Sequence, residues 1–147
     1  MYAFFRITAG IIFLCTWLFL PTEVFANPYF YITGNQNIFT GSNHTYEIHL
    51  DTDGDTVTAI QAVIPIPTDF ITPVNVNNLG SICSFWTPPN PNTSGISTTS
   101  QTPVINNDYI VFTCGFSNPG YTGDGLVGKF VINPHTSGSV DLEFSTA

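Results

Sequence analysis

Apolar and polar side chains alternate along most of this chain after Pro28, in short runs separated by Gly, Pro, Asn and Asp. No stretch keeps apolar residues at i, i+3, i+4 and i+7 for three turns, so the pattern predicts strands and no helix after Pro28. The predicted strands are Tyr29–Thr33, Thr45–Asp51, Val57–Ile66, Ile71–Val76, Ser81–Trp86, Tyr109–Cys114, Leu126–Ile132 and Ser139–Ser145. Turns are expected at Thr33-Gly34-Asn35, Asp53-Gly54-Asp55, Asn78-Leu79-Gly80 and Thr122-Gly123-Asp124-Gly125, where Gly, Asn and Asp accept the backbone angles a turn needs. The stretch from Pro88 to Asn107 is rich in Pro, Asn, Ser and Thr and reads as a long loop with one weak strand at Gly95–Thr99. Eight short strands at this spacing imply an all-β fold, a sandwich or jelly roll.

The run Val57–Ile66 shows the alternation most clearly. Ile60, Ala62, Ile64 and Ile66 fall on one face, the expected core face, and Ala59, Gln61, Val63 and Pro65 on the other. That second face is expected to be exposed, and it carries no charge. It suits either an ordinary central strand or a flat contact surface.

The N-terminus follows a different pattern. Arg6 precedes an apolar run, Ile7–Leu20, which Pro21 breaks, and small side chains occupy Val24 and Ala26. The run matches the core of a secretory signal peptide and is short for a membrane-crossing helix. Residues 1–26 are therefore expected to be a helical signal peptide, removed before Asn27, with an uncleaved membrane anchor as the alternative. Residues 27–147 then form one domain, exported to the extracellular space or cell surface.

Composition narrows the function classes. The chain has 2 Lys+Arg against 10 Asp+Glu, and beyond the N-terminal segment Lys129 is the one base, so phosphate backbones and anionic lipid are repelled and nucleic-acid partners are excluded. Membrane contact is expected only through an uncleaved N-terminal segment. Charged residues make up 8% of the chain, but aromatic residues make up 14%, enough burial to separate it from disordered sequences.

Several segments, taken in order, resemble cohesin-like domains of secreted bacterial proteins. They are Ala59-Ile60-Gln61-Ala62-Val63-Ile64; Gly80-Ser81-Ile82-Cys83-Ser84-Phe85-Trp86-Thr87-Pro88-Pro89; Ile110-Val111-Phe112-Thr113-Cys114-Gly115; Asn118-Pro119-Gly120-Tyr121-Thr122-Gly123-Asp124-Gly125-Leu126; and Gly138-Ser139-Val140-Asp141-Leu142-Glu143-Phe144-Ser145. The resemblance spans nearly all of the chain after residue 26. It implies a nine-stranded jelly-roll β-sandwich in the superfamily that also holds carbohydrate-binding modules. Cohesins bind dockerin modules and organise polysaccharide-degrading complexes. In that family, exposed Asn and Asp on the third strand contact the partner. Here the matching positions are Ala59 and Gln61, and only Gln61 can donate and accept hydrogen bonds. The chain stops at the end of the eighth expected strand, so the ninth, which in the family lies beside the first, is expected to be missing. The edge Tyr29–Thr33 would then stand open to a donated strand, a second copy or downstream sequence.

Candidate chemistry is sparse. Asp51-Thr52-Asp53-Gly54-Asp55 has carboxylates at alternate positions, but Thr56 and Ala62 occupy the places where a helix-loop-helix calcium site needs Gly and a bidentate acid. A hairpin turn between the second and third strands is expected there, and no metal or cofactor is expected. His44, His49 and His135 lack ligand spacing, and no nucleophile turn occurs, so no catalytic residue is assigned. Trp86 and Tyr121 lie at strand ends or loops, where a ring can stack on a sugar or plug the sandwich. Cys83 and Cys114 remain after Cys15 is removed. An even count in an exported chain points to one disulfide, two core thiols being the alternative, and the cohesin-like order makes their strands neighbours. The expected function is a non-enzymatic binding module for polysaccharide or a dockerin-like protein, through Ala59, Gln61, Val63, Trp86 and Tyr121. A structural adhesion or surface-layer module, or a glycoside hydrolase fragment, are the alternatives.

Overall fold

A computed structural model describes residues 27–87, 102–105 and 108–145. The signal peptide or anchor at 1–26 and the weak strand at Gly95–Thr99 lie outside these residues. Among the described residues no helix is long and apolar enough to cross a membrane.

Among the described residues eight strands form two antiparallel sheets: β1 (Tyr29–Gly34), β2 (His44–Asp51), β3 (Ala59–Pro65), β4 (Ile71–Asn77), β5 (Phe85–Trp86), β6 (Val104–Ile105), β7 (Tyr109–Gly115) and β8 (Asp124–Pro134). The first sheet has the order β1-β2-β8-β4, and the second runs β3-β7-β5 with β6 also on β7. This is the all-β sandwich expected from the alternation.

The inner faces carry the apolar halves of the alternating runs. Ile48 and Leu50 of β2, Val127, Phe130 and Ile132 of β8, Ile60, Ala62 and Ile64 of β3, and Ile110, Phe112 and Cys114 of β7 close into one buried cluster. Each large side chain fully removed from water there contributes about 1.5–3 kcal/mol. Phe112 fills the middle. Its ring meets Trp86 at 6.1 Å in a tilted pair, and on the opposite sheet it lies where a Cβ on Gly128 would stand 2.2 Å from its Cε1. Glycine at 128 is what lets the sheets approach here. Pro73, which cannot donate to a ladder, sits in β4 at the edge of the first sheet beside a register shift between Pro73 and Asn75.

The Cys83–Cys114 disulfide joins the segment before β5 to β7, with Cα atoms 5.9 Å apart. The same segment ties the sheets together. The Ile82 N–H donates to the carbonyl of Leu126 in β8 (2.8 Å), and the Ser84 N–H donates to that of Gly115 in β7 (3.0 Å).

Three expectations change. The turn at Asp53-Gly54-Asp55 is not a hairpin: β2 and β3 belong to different sheets, so the turn carries the chain from one layer to the other. Asp53 and Gly54 have φ of 49° and 91°, and the Asp51 carboxylate accepts the Asp53 N–H at 2.9 Å, so Asp51 serves the turn. The expected strand Ser81–Trp86 shrinks to Phe85–Trp86, because the residues before it cross between sheets. Residues 139–145 keep the in-and-out alternation, with Leu142 and Phe144 packed on the core, but form no strand. One backbone bond, from the Ser145 N–H to the Val63 carbonyl (2.8 Å), holds their end beside β3.

Candidate functional site

Among the described residues, the outer face of β3, β7 and β5 carries no charged side chain. Alternation from the core residues leaves Ala59, Gln61, Val63 and Pro65 of β3 and Tyr109, Val111, Thr113 and Gly115 of β7 facing outward. The register sets them in rows: Ala59 beside Gly115 beside Phe85, then Gln61 beside Thr113, then Val63 beside Val111 beside Val104. Phe85 is 51% exposed, and its ring lies where a Cβ on Gly115 would be. The Phe85 ring thus covers Gly115, and the exposed Ala59 lies beside that pair in the same row. The Thr113 hydroxyl reaches Gln61 Oε1 at 3.5 Å.

Thr102 stiffens this face. It is buried, and its hydroxyl accepts the Thr113 N–H at 2.8 Å and lies against the carbonyls of Thr87 and Thr113. Between β5 and β6 a side chain thus supplies the partner of the Thr113 N–H, beside the backbone bond from the Thr87 N–H to the Thr113 carbonyl (3.1 Å).

The other outer face, on the first sheet, is polar and charged. Lys129 donates to Glu47 at 2.5 Å, and the His49 Nε2 lies 3.4 Å from the same carboxylate. The Lys129 hydrogen bond, aided by His49, holds the Glu47 carboxyl below the usual carboxylate range against a smaller opposing effect of burial. Tyr31 stacks on His49 at 5.0 Å and donates to both carboxylate oxygens of Asp124, at 2.8 and 2.7 Å. That bond, with a lesser effect of burial, pushes the Tyr31 hydroxyl up to about 12. Tyr29 donates to Asp51 at 3.1 Å and is raised for the same reason. The outer face of the first sheet thus carries paired charge, and that of β3 and β7 carries none.

The residues singled out from sequence do not all meet. Ala59 is exposed and Gln61 half-buried on the uncharged face. Val63 shares that face but is 6% exposed, because Val104, Tyr109 and Val111 pack around it in a second apolar cluster; the expected exposure there is wrong. Trp86 points inward against Phe112. Tyr121 stacks on Phe116 at 5.4 Å and donates to the Asp124 carbonyl at 2.7 Å. Sequence reasoning missed Phe85, a ring exposed on this face. The chain changes sheets between Ile82 and Ser84, so alternation cannot be counted through to Trp86. Among the described residues no group of three or more His, Cys, Asp or Glu side chains is placed to hold a metal ion.

No family model matches the chain, and no curated protein matches it. Among solved structures it is similar to a cohesin module from a Clostridium perfringens ATCC13124 family 33 glycoside hydrolase, with a TM-score of 0.55 and 13% identity over 78% of this chain and 75% of that one. The fold is cohesin-like.

Proposed function

We propose that the chain is a non-catalytic protein-binding module that docks a dockerin-like partner on the outer face of β3, β7 and β5. The observation that carries this reading is the uncharged face around Ala59, Gln61 and Phe85 in a chain of formal net charge −8. Charge depletion with an exposed aromatic ring at the centre is the composition of an interface core. A cohesin-like fold adds support, because cohesins bind partner modules. The reading places the module outside the cytoplasm, in an assembly linked to polysaccharide breakdown, and the disulfide is in keeping with an oxidising compartment.

The test is calorimetric titration of the protein against a panel of dockerin modules and soluble polysaccharides. Binding of a dockerin that Gln61→Arg or Ala59→Arg abolishes, without lowering the melting temperature, supports the reading. Binding of polysaccharide alone, lost in Phe85→Ala, would replace the protein partner by a glycan. Turnover of polysaccharide would refute the non-catalytic reading.

A further inference from the structure

A groove opens beside the first sheet, and none of its lining residues belongs to β3, β5 or β7. It lies between residues 136–143 and a wall made of Ile32 of β1 with the following residues 36–40, and has a volume of about 870 Å³, within the range of ligand-binding clefts. Ile32, Ile38, Tyr46, Phe70, Ile132 and Leu142 line it, all drawn from side chains packed on the core. Phe39, 75% exposed, stands at its rim.

Both walls offer unpaired backbone. β1 pairs with β2 along one edge, and among the described residues nothing pairs with the other. Along residues 137–144 no backbone N–H or carbonyl has a backbone partner among the described residues. An apolar floor between backbone edges is complementary to one kind of ligand: an extended polypeptide that pairs through its main chain and drops alternate side chains into the floor.

The wall opposite residues 136–143 is fixed before any ligand arrives. The Tyr46 hydroxyl donates to the Asn35 carbonyl (2.8 Å), the Gly41 N–H to that of Pro134 (2.7 Å), and the Asn133 amide to Asn43 Oδ1 (2.9 Å). Such preorganisation lowers the cost of binding. Charge selects the ligand further. Asp141 and Glu143 are exposed on the groove, while Lys129, the one Lys or Arg among the described residues, is held by Glu47.

We infer that this groove captures an extended strand of a partner protein, apolar at alternate positions and flanked by Lys or Arg, by β-addition to the outer edge of β1. This surface is separate from the face of β3, β7 and β5, so either assignment can fail alone.

The experiment uses the purified full chain and fluorescein-labelled peptides of about ten residues, enough for a strand of ordinary length. One alternates Val and Thr between Lys-rich ends. A second has Glu in place of Lys, and a third has Pro at its centre. The Lys-flanked peptide is expected to bind at least about tenfold more tightly than the other two, and to slow amide exchange over Tyr29–Gly34. Phe39→Ala should weaken it, and the pair Asp141→Lys and Glu143→Lys, both exposed, should invert the preference toward the Glu-flanked peptide. Binding that protects β3 and β7 instead of β1 would overturn the assignment. So would equal binding of all three peptides, no binding, or concentration-dependent self-association that protects β1 without added peptide, which would make a second copy the occupant.

Discussion

Replacing Cys83 and Cys114 together by Ala removes a covalent link between residues 31 apart in sequence. In the chain-entropy account, closing a loop of that length costs the unfolded ensemble about 3.6 kcal/mol, so the bond stabilises the fold by about that much. Cys114 is 1% exposed and belongs to the main core, so truncating its sulfur adds a smaller packing loss, on the order of 1 kcal/mol. The combined expectation is a loss of about 3–5 kcal/mol, a drop in melting temperature of roughly 15 °C for a domain of this size. Urea unfolding followed by far-ultraviolet circular dichroism, on the oxidised protein and the double variant, measures the difference. The slope against denaturant should rise in the variant, because its unlinked denatured state exposes more surface. A loss below about 1 kcal/mol with an unchanged slope would refute the reasoning. So would two free thiols in oxidised protein.

Other expected outcomes follow from single contacts. Thr102→Val leaves the part-buried Thr113 N–H without its acceptor and should cost about 1–3 kcal/mol, while Thr102→Ser should retain most of the stability; urea midpoints decide. Gly128→Ala drives a Cβ into the buried Phe112 ring and should cost about 1–3 kcal/mol, whereas Gly115→Ala meets the half-exposed Phe85, which can swing outward, and should cost less; equal losses would contradict the assignment of Phe85 to the surface. Tyr31 should titrate near pH 12 in an ultraviolet difference titration, and Asp124→Asn should bring it down toward 10. Its folded value lies above its unfolded one, so its hydrogen bond contributes stability below pH 10 that disappears as pH rises toward 12.

Where a strand lies in a ladder with one buried face, the sequence pattern located it closely. β1, β2, β4 and β7 match the expected runs to within one residue, and Ile60, Ala62 and Ile64 of β3 face the core as the period of two requires. Sheet membership was less legible. Asp53-Gly54-Asp55 has the chemistry of a hairpin turn, and nothing local distinguishes a turn that joins paired strands from one that carries the chain to the other layer. Residues 139–145 show that alternation reports the side-chain environment and not the ladder, since Leu142 and Phe144 pack inward without strand pairing. At the candidate site, the uncharged character of the face was visible in Ala59, Gln61 and Val63. The burial of Val63 was not, because it depends on Val104, which approaches through β6, a two-residue strand too short to show a period. Trp86 takes the plugging place of its two expected ones, and Phe85 was not foreseen at the surface, because a change of sheet resets the count of faces.

The docking face itself is open to one direct measurement: amide chemical-shift mapping of the isotopically labelled protein, titrated with the dockerin module that calorimetry identifies. Perturbations centred on Ala59, Gln61, Phe85, Thr113 and Gly115 are the result expected from the uncharged face. Perturbations centred instead on Tyr29, Tyr31 and His49, with the β3 and β7 amides unmoved, would place recognition on the charged sheet and contradict it.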